Sequence, residues 1–206
     1  MTEQERMDKG LVYNPMDKDI LKGQLKNIKS VHKYNKIPPT NLKKRERTLK
    51  KMFASVGSNC YIEAPMYANF GGKHVYLGNH VYANFNLTLV DDGNIYIGDD
   101  VMIAPNVTII TAAHPINIEL RQKGYQYNRD VHIGSNVWIG ANVIILPGVT
   151  IGDNSVIGAG AIVTKDIPSG VVAYGAPCEI KREISEKDNI YFYKDNKIDW
   201  ENINKE

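Results

Sequence analysis

Aliphatic residues recur on a six-residue period through the middle of this chain, and this rhythm constrains the fold more than any other feature. They form two runs separated by a polar stretch: Leu77, Leu89, Ile97, Ile103 and Ile109, then Ile133, Ile139, Ile145, Ile151, Ile157 and Val163. Gly or Ala follows most of them. Helices and strands repeat at about 3.6 and 2 residues, so a period of six fits neither element alone.

A six-residue period predicts short strands joined by tight turns and wound into a parallel β-helix. The aliphatic side chain fills the interior of each turn, and we expect the small residue beside it to allow a sharp bend. Three hexapeptides make a triangular coil of about 18 residues, and successive coils stack at about 4.8 Å. These residues do not determine the hand of the coil. The general rule for parallel crossovers would favour the right-handed form.

The segment before the repeat has helical patterns instead. Thr2 and Glu5 predict a capping box for a first helix. Asp17 or Asp19 can cap a second helix, and Thr40 can cap a third. We therefore predict three regions: an N-terminal helical segment over 1–56, a parallel β-helix over 57–180 with a protruding loop over 115–130, and a C-terminal tail over 181–206.

Composition and charge bear on the classes of partner. The formal net charge of +2 gives no global attraction to nucleic acid or to an anionic membrane surface. No apolar run approaches the roughly 20 residues of a membrane-spanning helix, and the charged positions 1–10 have no apolar signal core. The two cysteines, Cys60 and Cys178, lack metal-ligand spacing. We expect a cytoplasmic protein without nucleic-acid or membrane partners and without a metal.

Several motifs within and beside the repeat carry a family resemblance. They are Tyr82-Ala83-Asn84-Phe85-Asn86, Ile103-Ala104-Pro105-Asn106-Val107, His114-Pro115, Asn136-Val137-Trp138-Ile139-Gly140 and Val163-Thr164-Lys165-Asp166-Ile167-Pro168. With them the chain resembles the hexapeptide-repeat acyltransferases, most closely the galactoside and maltose O-acetyltransferases, over nearly its whole length. The resemblance implies an all-β core that is a left-handed parallel β-helix, a homotrimer, and transfer of acetyl from acetyl-CoA to a sugar hydroxyl.

His114 and Asn84 are the candidate catalytic residues. Transfer from a thioester to an alcohol requires removal of the hydroxyl proton, and imidazole titrates in the range that suits this step. His114 stands where the rhythm stops, and the resemblance assigns the general base to it. The resemblance also places Asn84 near the oxyanion, where a neutral amide donor suits the developing charge. Asn84 is alternatively a turn residue of the coil.

The acceptor and the cofactor have separate sets of candidate residues. For the acceptor sugar the resemblance implies Tyr82 and Asp92, more weakly Asp17, and a loop position where Gln126 replaces the apolar residue of the family. That departure puts the acceptor preference in question. For acetyl-CoA the matching positions are Trp138, Ala141, Ala159, Thr164, Lys165 and Arg182. Small residues leave room for the pantetheine arm, and the two cations suit phosphates.

The phase of the repeat predicts how the catalytic pair is arranged. Leu77 and Leu89 share one phase, and the positions from Ile97 onward follow another, two residues later, so the coil carries a two-residue insertion near Asp92. After correction for it, Asn84 and His114 lie about half a coil apart along the repeat. We therefore expect the two side chains at different corners of one prism, and a site that two subunits share.

Two other functions remain open from the sequence. The same scaffold acetylates amines in related antibiotic and amino-sugar acetyltransferases, although the N-terminal helical segment favours the sugar enzymes. A non-enzymatic β-helix or a metal-dependent relative such as a carbonic anhydrase is the second alternative. The latter needs a trio of zinc-binding histidines, and the phases of His74, His80 and His132 around His114 supply no evident one.

Overall fold

The computed structural model describes residues 1–203, so positions 204–206 of the predicted tail lie outside the described residues. Its helices are α1 (Glu3–Asp8), α2 (Lys18–Asn35), α3 (Leu42–Met52), α4 (Ile118–Gln122), α5 (Glu186–Ile190) and α6 (Trp200–Ile203). Within residues 1–203, no helix has the length and apolar character that crossing a membrane requires.

Side-chain caps set where the N-terminal helices begin. Thr2 and Glu5 form the predicted capping box at α1, and the Asp17 carboxylate accepts the first backbone N–H groups of α2. The prediction of a Thr40 cap is wrong. Asn41 caps α3, because its side-chain oxygen accepts a backbone N–H of the first turn.

Short strands of three sheets form the core. Sheet 1 contains β1 (Ser55–Val56), β4 (Val75–Leu77), β7 (Ile95–Ile97), β12 (Val131–Ile133) and β15 (Thr150–Ile151). Sheet 2 contains β2 (Tyr61–Ile62), β5 (Tyr82–Ala83), β8 (Met102–Ile103), β13 (Trp138–Ile139), β16 (Val156–Ile157), β18 (Val171–Tyr174) and β19 (Glu179–Glu183). Sheet 3 contains β3 (Tyr67–Ala68), β6 (Thr88–Val90), β9 (Thr108–Ile110), β14 (Ile144–Ile145) and β17 (Ile162–Val163).

The chain visits sheets 1, 2 and 3 in turn, which makes the predicted parallel β-helix. We call the turns from sheet 2 to sheet 3 the 2/3 corner, and those from sheet 3 to sheet 1 the 3/1 corner. Outside the coil, β10 (Ala112–Ala113) pairs with β11 (Tyr127–Asn128) around the protruding loop. In the tail, β20 (Tyr191–Tyr193) pairs with β21 (Asn196–Lys197).

Strand register fixes the length of each coil. Ile133 lies opposite Ile151, 18 positions later. Leu77 lies opposite Ile97, and Leu89 opposite Ile109, both 20 positions later. The two extra residues therefore fall between β6 and β7, in residues 91–94, where the repeat phase predicts the insertion.

Close stacking of the coils explains the glycines of the repeat. A Cβ on Gly98 would lie 2.7 Å from the backbone nitrogen of Ser135, and one on Gly134 would lie 2.7 Å from that of Asp153. The expected reason, a sharp bend at the small residue, is wrong for these glycines, because their φ angles are not left-handed. Most non-glycine left-handed bends fall on asparagines, which tolerate them, such as Asn86, Asn106, Asn142 and Asn154, with φ of 63°, 62°, 59° and 58°. His80 and Asp100 take the same conformation, each with φ of 56°.

The helical segment packs against the first coil through a buried arginine. Arg45 is 3% exposed and donates to the carbonyl oxygens of Ile37 at 3.0 Å and Ile62 at 3.3 Å. Its guanidinium carbon lies 5.4 Å from the ring centre of Tyr34 and 5.6 Å from that of Tyr61. The basic character of α3 predicts a solvated face, and Arg45 is the exception because carbonyls and aromatic rings replace its water.

Candidate active site

His114 lies where the chain leaves the coil at the 3/1 corner. Antiparallel pairing of β10 with β11 makes residues 114–126 a projecting loop that contains α4. The imidazole is exposed, and its Nδ1 lies 2.7 Å from the carbonyl oxygen of Tyr125. Because a carbonyl oxygen only accepts, Nδ1 carries the proton in this hydrogen bond, and in the neutral ring Nε2 keeps a lone pair.

Asn84 lies in the turn after β5, at the 2/3 corner, and is partly buried. Its Oδ1 accepts the backbone N–H of Phe85 at 2.7 Å. A backbone N–H only donates, so this bond identifies the oxygen side of the amide and leaves Nδ2 as a donor for another group. The local turn therefore orients the side chain as a hydrogen-bond donor.

The structure does not bring His114 and Asn84 to the same corner. Asn84 connects a strand of sheet 2 to one of sheet 3, whereas His114 follows sheet 3 and precedes sheet 1. This separation agrees with the phase of the repeat. One chain alone therefore presents an imidazole at one corner and an amide donor at another.

Asp92 lies in the inserted residues at the 3/1 corner and takes part in a polar network. It is 6% exposed. Its Oδ1 accepts from Gln126 Nε2 at 2.8 Å, and its Oδ2 accepts from Asn69 Nδ2 at 2.7 Å. Two amide donors therefore hold this carboxylate in a fixed orientation. Two donors leave part of the hydrogen-bonding capacity of this carboxylate unused, and its predicted contact with the acceptor stays a prediction.

Gln126 connects Asp92 to the N-terminal segment. Its Nε2 also donates to the Tyr13 hydroxyl, and the backbones of Gln126 and Tyr13 exchange two hydrogen bonds of 2.9 and 3.1 Å. Burial, and then the charge of Asp92, raises the pKa of Tyr13 to about 12. Gln126 is 8% exposed. Its side-chain nitrogen thus holds other residues of the site, and its predicted contact with the acceptor stays a prediction.

Sequence reasoning did not assign Tyr13, Asn69 or Asp91 to this region. Asp91 is fully buried, and its carboxylate accepts the backbone N–H groups of Phe70 at 2.7 Å and Gly72 at 2.8 Å. Burial raises the pKa of Asp91, although these hydrogen bonds oppose that shift. The adjacent aspartates were the one feature of the sequence that could have indicated this network. Nothing in the sequence predicts that they contact segments some twenty to eighty positions earlier.

The other acceptor candidates lie apart from this network. Tyr82 is 38% exposed on the outer face of sheet 2, and its ring stacks on Tyr61 with centroids 6.4 Å apart. Asp17 uses its Oδ1 to cap α2, accepting from the N–H groups of Asp19 at 3.0 Å and Ile20 at 3.4 Å. The sugar contacts of Tyr82 and Asp17 stay predictions.

The cofactor candidates divide between the same two corners. Ala141 and Ala159 lie on the 2/3 corner above Asn84, and Trp138, 51% exposed, lies on the outer face of sheet 2 beside them. Thr164 and Lys165 lie exposed on the 3/1 corner, as His114 does. A cofactor bound between facing corners of two chains would contact both sets.

Arg182 lies on β19, beyond the last parallel strand of sheet 2. Its guanidinium donates two hydrogen bonds of 2.7 Å to the two oxygens of Asp188. This pairing lowers the pKa of Asp188 to about 2. An incoming phosphate would therefore share Arg182 with a carboxylate. Within residues 1–203, no group of three or more His, Cys, Asp and Glu side chains is placed to hold a metal ion.

Comparisons with known proteins agree with this architecture. Residues 130–165 match the family described as bacterial transferase hexapeptide (six repeats), and residues 6–57 match the maltose acetyltransferase hexapeptide capping motif. Of the solved structures, a galactoside acetyltransferase in complex with coenzyme A has a TM-score of 0.92 at 47% identity, over 96% of this chain and 98% of that one. A maltose O-acetyltransferase from Clostridium difficile 630 has a TM-score of 0.87 at 43% identity, over 90% and 98%.

Curated relatives give the same result over nearly the full length. The galactoside O-acetyltransferase of Lactococcus lactis subsp. lactis (strain IL1403) is 52% identical over 188 residues, 91% of each chain. The galactoside O-acetyltransferase of Escherichia coli (strain K12) is 48% identical over 195 residues, 95% of this chain and 96% of the relative. These matches confirm the predicted family. The chain belongs to the hexapeptide-repeat acetyltransferases and is an acyltransferase.

Proposed function

We propose that the protein is an acetyl-CoA-dependent O-acetyltransferase that acetylates a hydroxyl of a galactoside-like or maltose-like sugar. The relatives at 52% and 48% identity are named galactoside O-acetyltransferases, and the structure with a TM-score of 0.92 is a complex with coenzyme A. Small side chains at Ala141 and Ala159 leave space along the 2/3 corner for an extended arm. Acetyl-CoA, when bound, supplies the acetyl group as a thioester.

The hydrogen bond from His114 Nδ1 to the Tyr125 carbonyl is the observation that carries this proposal. It leaves Nε2 of the neutral ring able to accept the proton of an acceptor hydroxyl as the oxygen attacks the thioester carbonyl. Asn84 Nδ2 donates to the carbonyl oxygen as it gains negative charge. His114 then returns its proton to the departing sulfur, so protons balance over one turnover.

The environment of the two thiols is consistent with direct transfer of the acetyl group, without a covalent enzyme intermediate. Cys60 is buried and Cys178 is partly buried. Desolvation raises the pKa of both thiols, which disfavours the thiolate that a covalent mechanism would need. We therefore propose that acceptor and donor react within one ternary complex.

The split of the candidate residues between two corners supports a site completed by a second subunit. A closed ring with threefold symmetry has heterologous contacts, which can bring the 3/1 corner of one chain to the 2/3 corner of the next. His114, Asp92, Thr164 and Lys165 would then come from one chain, and Asn84 from its neighbour. We propose this arrangement together with the homotrimer.

Release of CoA with and without His114 tests the function. Wild type and His114→Ala are assayed with galactosides, maltose and amino sugars as competing acceptors, and the exposed His80→Ala is the matched control. We expect His114→Ala to lower kcat by about 10²–10⁴-fold with sugar hydroxyls, as loss of a general base does, and His80→Ala to retain wild-type rates. Wild-type rates in His114→Ala would contradict the assignment of His114 as the general base. Faster turnover of amines than of hydroxyls would favour the N-acetyltransferase alternative.

A further inference from the structure

The positive charge of the chain is concentrated in α2 and α3. Residues 18–51 contain 12 Lys and Arg against two acidic residues, a net charge of +10, whereas the whole chain has a net charge of +2. The remaining residues therefore carry a net charge of −8. Because the expectation of no anionic partner rests on the total charge, it does not describe this segment. Separation of charge on this scale is typical of a chain that binds a polyanion.

Six lysines form one stripe along α2. Successive members are three or four positions apart, so at about 3.6 residues per turn they all fall within about 80° of the helix circumference. They are Lys18, Lys22, Lys26, Lys29, Lys33 and Lys36, and we call them the lysine stripe. Every member is exposed. The buried side chains Ile20, Val31 and Tyr34 lie on the opposite side of the helix, so the stripe faces away from the coil.

Repulsion within the lysine stripe is not relieved by ion pairs in the described part of the chain. None of its lysines lies within ion-pair distance of an acidic side chain of residues 1–203. The Asp17 carboxylate, at the start of the stripe, accepts backbone N–H groups of α2 instead. Like charges three or four positions apart destabilise a helix. An anionic surface that binds here would relieve this repulsion.

Leucines run beside the lysine stripe. Leu25 is 62% exposed, and Leu21 lies one turn before it on the same side of the helix. Both line a groove of about 600 Å³ whose other walls are the stripe members from Lys18 to Lys29. The groove therefore combines apolar and cationic walls. Such a surface is complementary to an anionic amphiphile, whereas nucleic acid offers phosphates to cations without apolar chains beside them.

We propose that α2 docks on an anionic lipid surface, with the lysine stripe among the phosphate headgroups and Leu25 inserted toward the acyl chains. Lysines beside exposed leucines are the combination with which amphipathic helices lie in a membrane interface. A lipid surface carries its anions in a plane and so matches a stripe that extends about 27 Å along a helix. This inference is independent of the proposed acetyl transfer, because it concerns where the protein acts and not what it acetylates.

Sedimentation with lipid vesicles tests the proposal. The full chain is mixed with vesicles of phosphatidylcholine alone or of equal parts phosphatidylcholine and phosphatidylglycerol, at low and at physiological ionic strength. Lys22→Gln/Lys26→Gln removes two charges of the stripe, and Lys22→Arg/Lys26→Arg retains them. Lys187→Gln/Lys197→Gln is the matched control, because it removes two exposed charges from the tail. Thermal unfolding of each variant checks that the fold is kept.

We expect wild type to bind the vesicles that contain phosphatidylglycerol and not those of phosphatidylcholine alone. Each lysine near an anionic surface contributes about fivefold to binding, so Lys22→Gln/Lys26→Gln should bind about 30-fold more weakly. The arginine variant and the tail control should bind as wild type does. Leu25→Gln should weaken binding about tenfold, and this loss should persist at physiological ionic strength, because salt does not screen the burial of an apolar side chain.

The proposal is overturned if wild type sediments no better with phosphatidylglycerol vesicles than with phosphatidylcholine vesicles. Full binding by the glutamine variant would overturn it too, as would an equal loss of binding in the arginine variant or in the tail control. A DNA duplex serves as the alternative polyanion. Tighter binding to the duplex than to the phosphatidylglycerol vesicles, unchanged in Leu25→Gln, would assign the stripe to nucleic acid and exclude the lipid surface as its partner.

Discussion

A mixture of two inactive variants tests where the active site is completed. His114→Ala removes the candidate base at the 3/1 corner, and Asn84→Ala removes the amide donor at the 2/3 corner. Each variant assembled alone lacks one of the two groups at every site. We expect rate losses of about 10²–10⁴-fold for the base and about 10²–10³-fold for the oxyanion donor.

The expected activity of the mixture follows from the separation of the two corners. In a cyclic trimer each site would take His114 from one chain and Asn84 from its neighbour. After equal mixing and random assembly, half of the chains carry an intact His114 and the other half an intact Asn84. About one quarter of the sites then combine both groups, so the mixture should reach about 25% of wild-type activity. Sites built within single chains would give no recovery.

The assay needs exchange of subunits and one internal reference. The two variants are mixed in denaturant, refolded together and assayed for CoA release, beside each variant refolded alone. Wild type mixed equally with His114→Ala/Asn84→Ala gives the reference: about a quarter of full activity for shared sites and about a half for self-contained ones. A variant mixture no more active than its parts, together with a reference near one half, would refute a site between subunits.

Three further predictions follow from individual contacts. Gln126→Met keeps the side-chain volume but removes the hydrogen bonds to Asp92 and to the Tyr13 hydroxyl. The bond to the Asp92 carboxylate is worth about 1.5–3 kcal/mol, so we expect steady-state kinetics to show an acceptor KM about tenfold higher with unchanged kcat; a wild-type KM would contradict this. Burial raises the pKa of Tyr34 to about 12 from 10.0. Its protonated form therefore stabilises the fold below pH 10, and this stabilisation is lost as the pH rises through 12. Because Tyr13 titrates in the same range, denaturant titrations should show a loss up to pH 12 that is about 2–3 kcal/mol smaller in Tyr34→Phe than in wild type. At Gly72, with φ of +87°, a Cβ would lie 2.1 Å from the Phe53 ring, whereas Gly160, with φ of +73°, has open space. Gly72→Ala should therefore destabilise by about 3 kcal/mol or more, and Gly160→Ala by about 1, in the same unfolding assay.

The architecture was predictable because one physical requirement repeats along the chain. Every coil must fill its interior, so aliphatic positions such as Ile133 and Ile151 keep their six-residue period and end up fully or almost fully buried. The same regularity made the insertion visible as a change of phase at Ile97. A defect in a repeat can be located from the sequence because its regular neighbours define where each residue should be.

Contacts between distant segments were not predictable in this way. Tyr13 reaches Gln126 and Asn69 reaches Asp92, yet no periodicity links the members of either pair. Arg45 shows the same limit, because a cation in a basic helix predicts solvent exposure, and carbonyls from two other segments determine its burial instead. The repeat phase separated Asn84 from His114, but only the fold shows that Asp92, Thr164 and Lys165 share the corner of His114.

The inserted residues at the 3/1 corner connect the scaffold to the candidate chemistry. A regular coil of 18 residues would pass this corner in a tight turn, and the two extra residues allow neighbouring aspartates to take different roles. Asp91 turns inward and holds two backbone N–H groups, which anchors the enlarged corner. Asp92, thereby positioned, receives the amides of Asn69 and Gln126. Because His114 leaves the coil at this same corner one coil later, the irregularity places an oriented carboxylate and a basic imidazole on one edge. In the proposed site between subunits, a neighbouring chain would then supply the amide donor of Asn84.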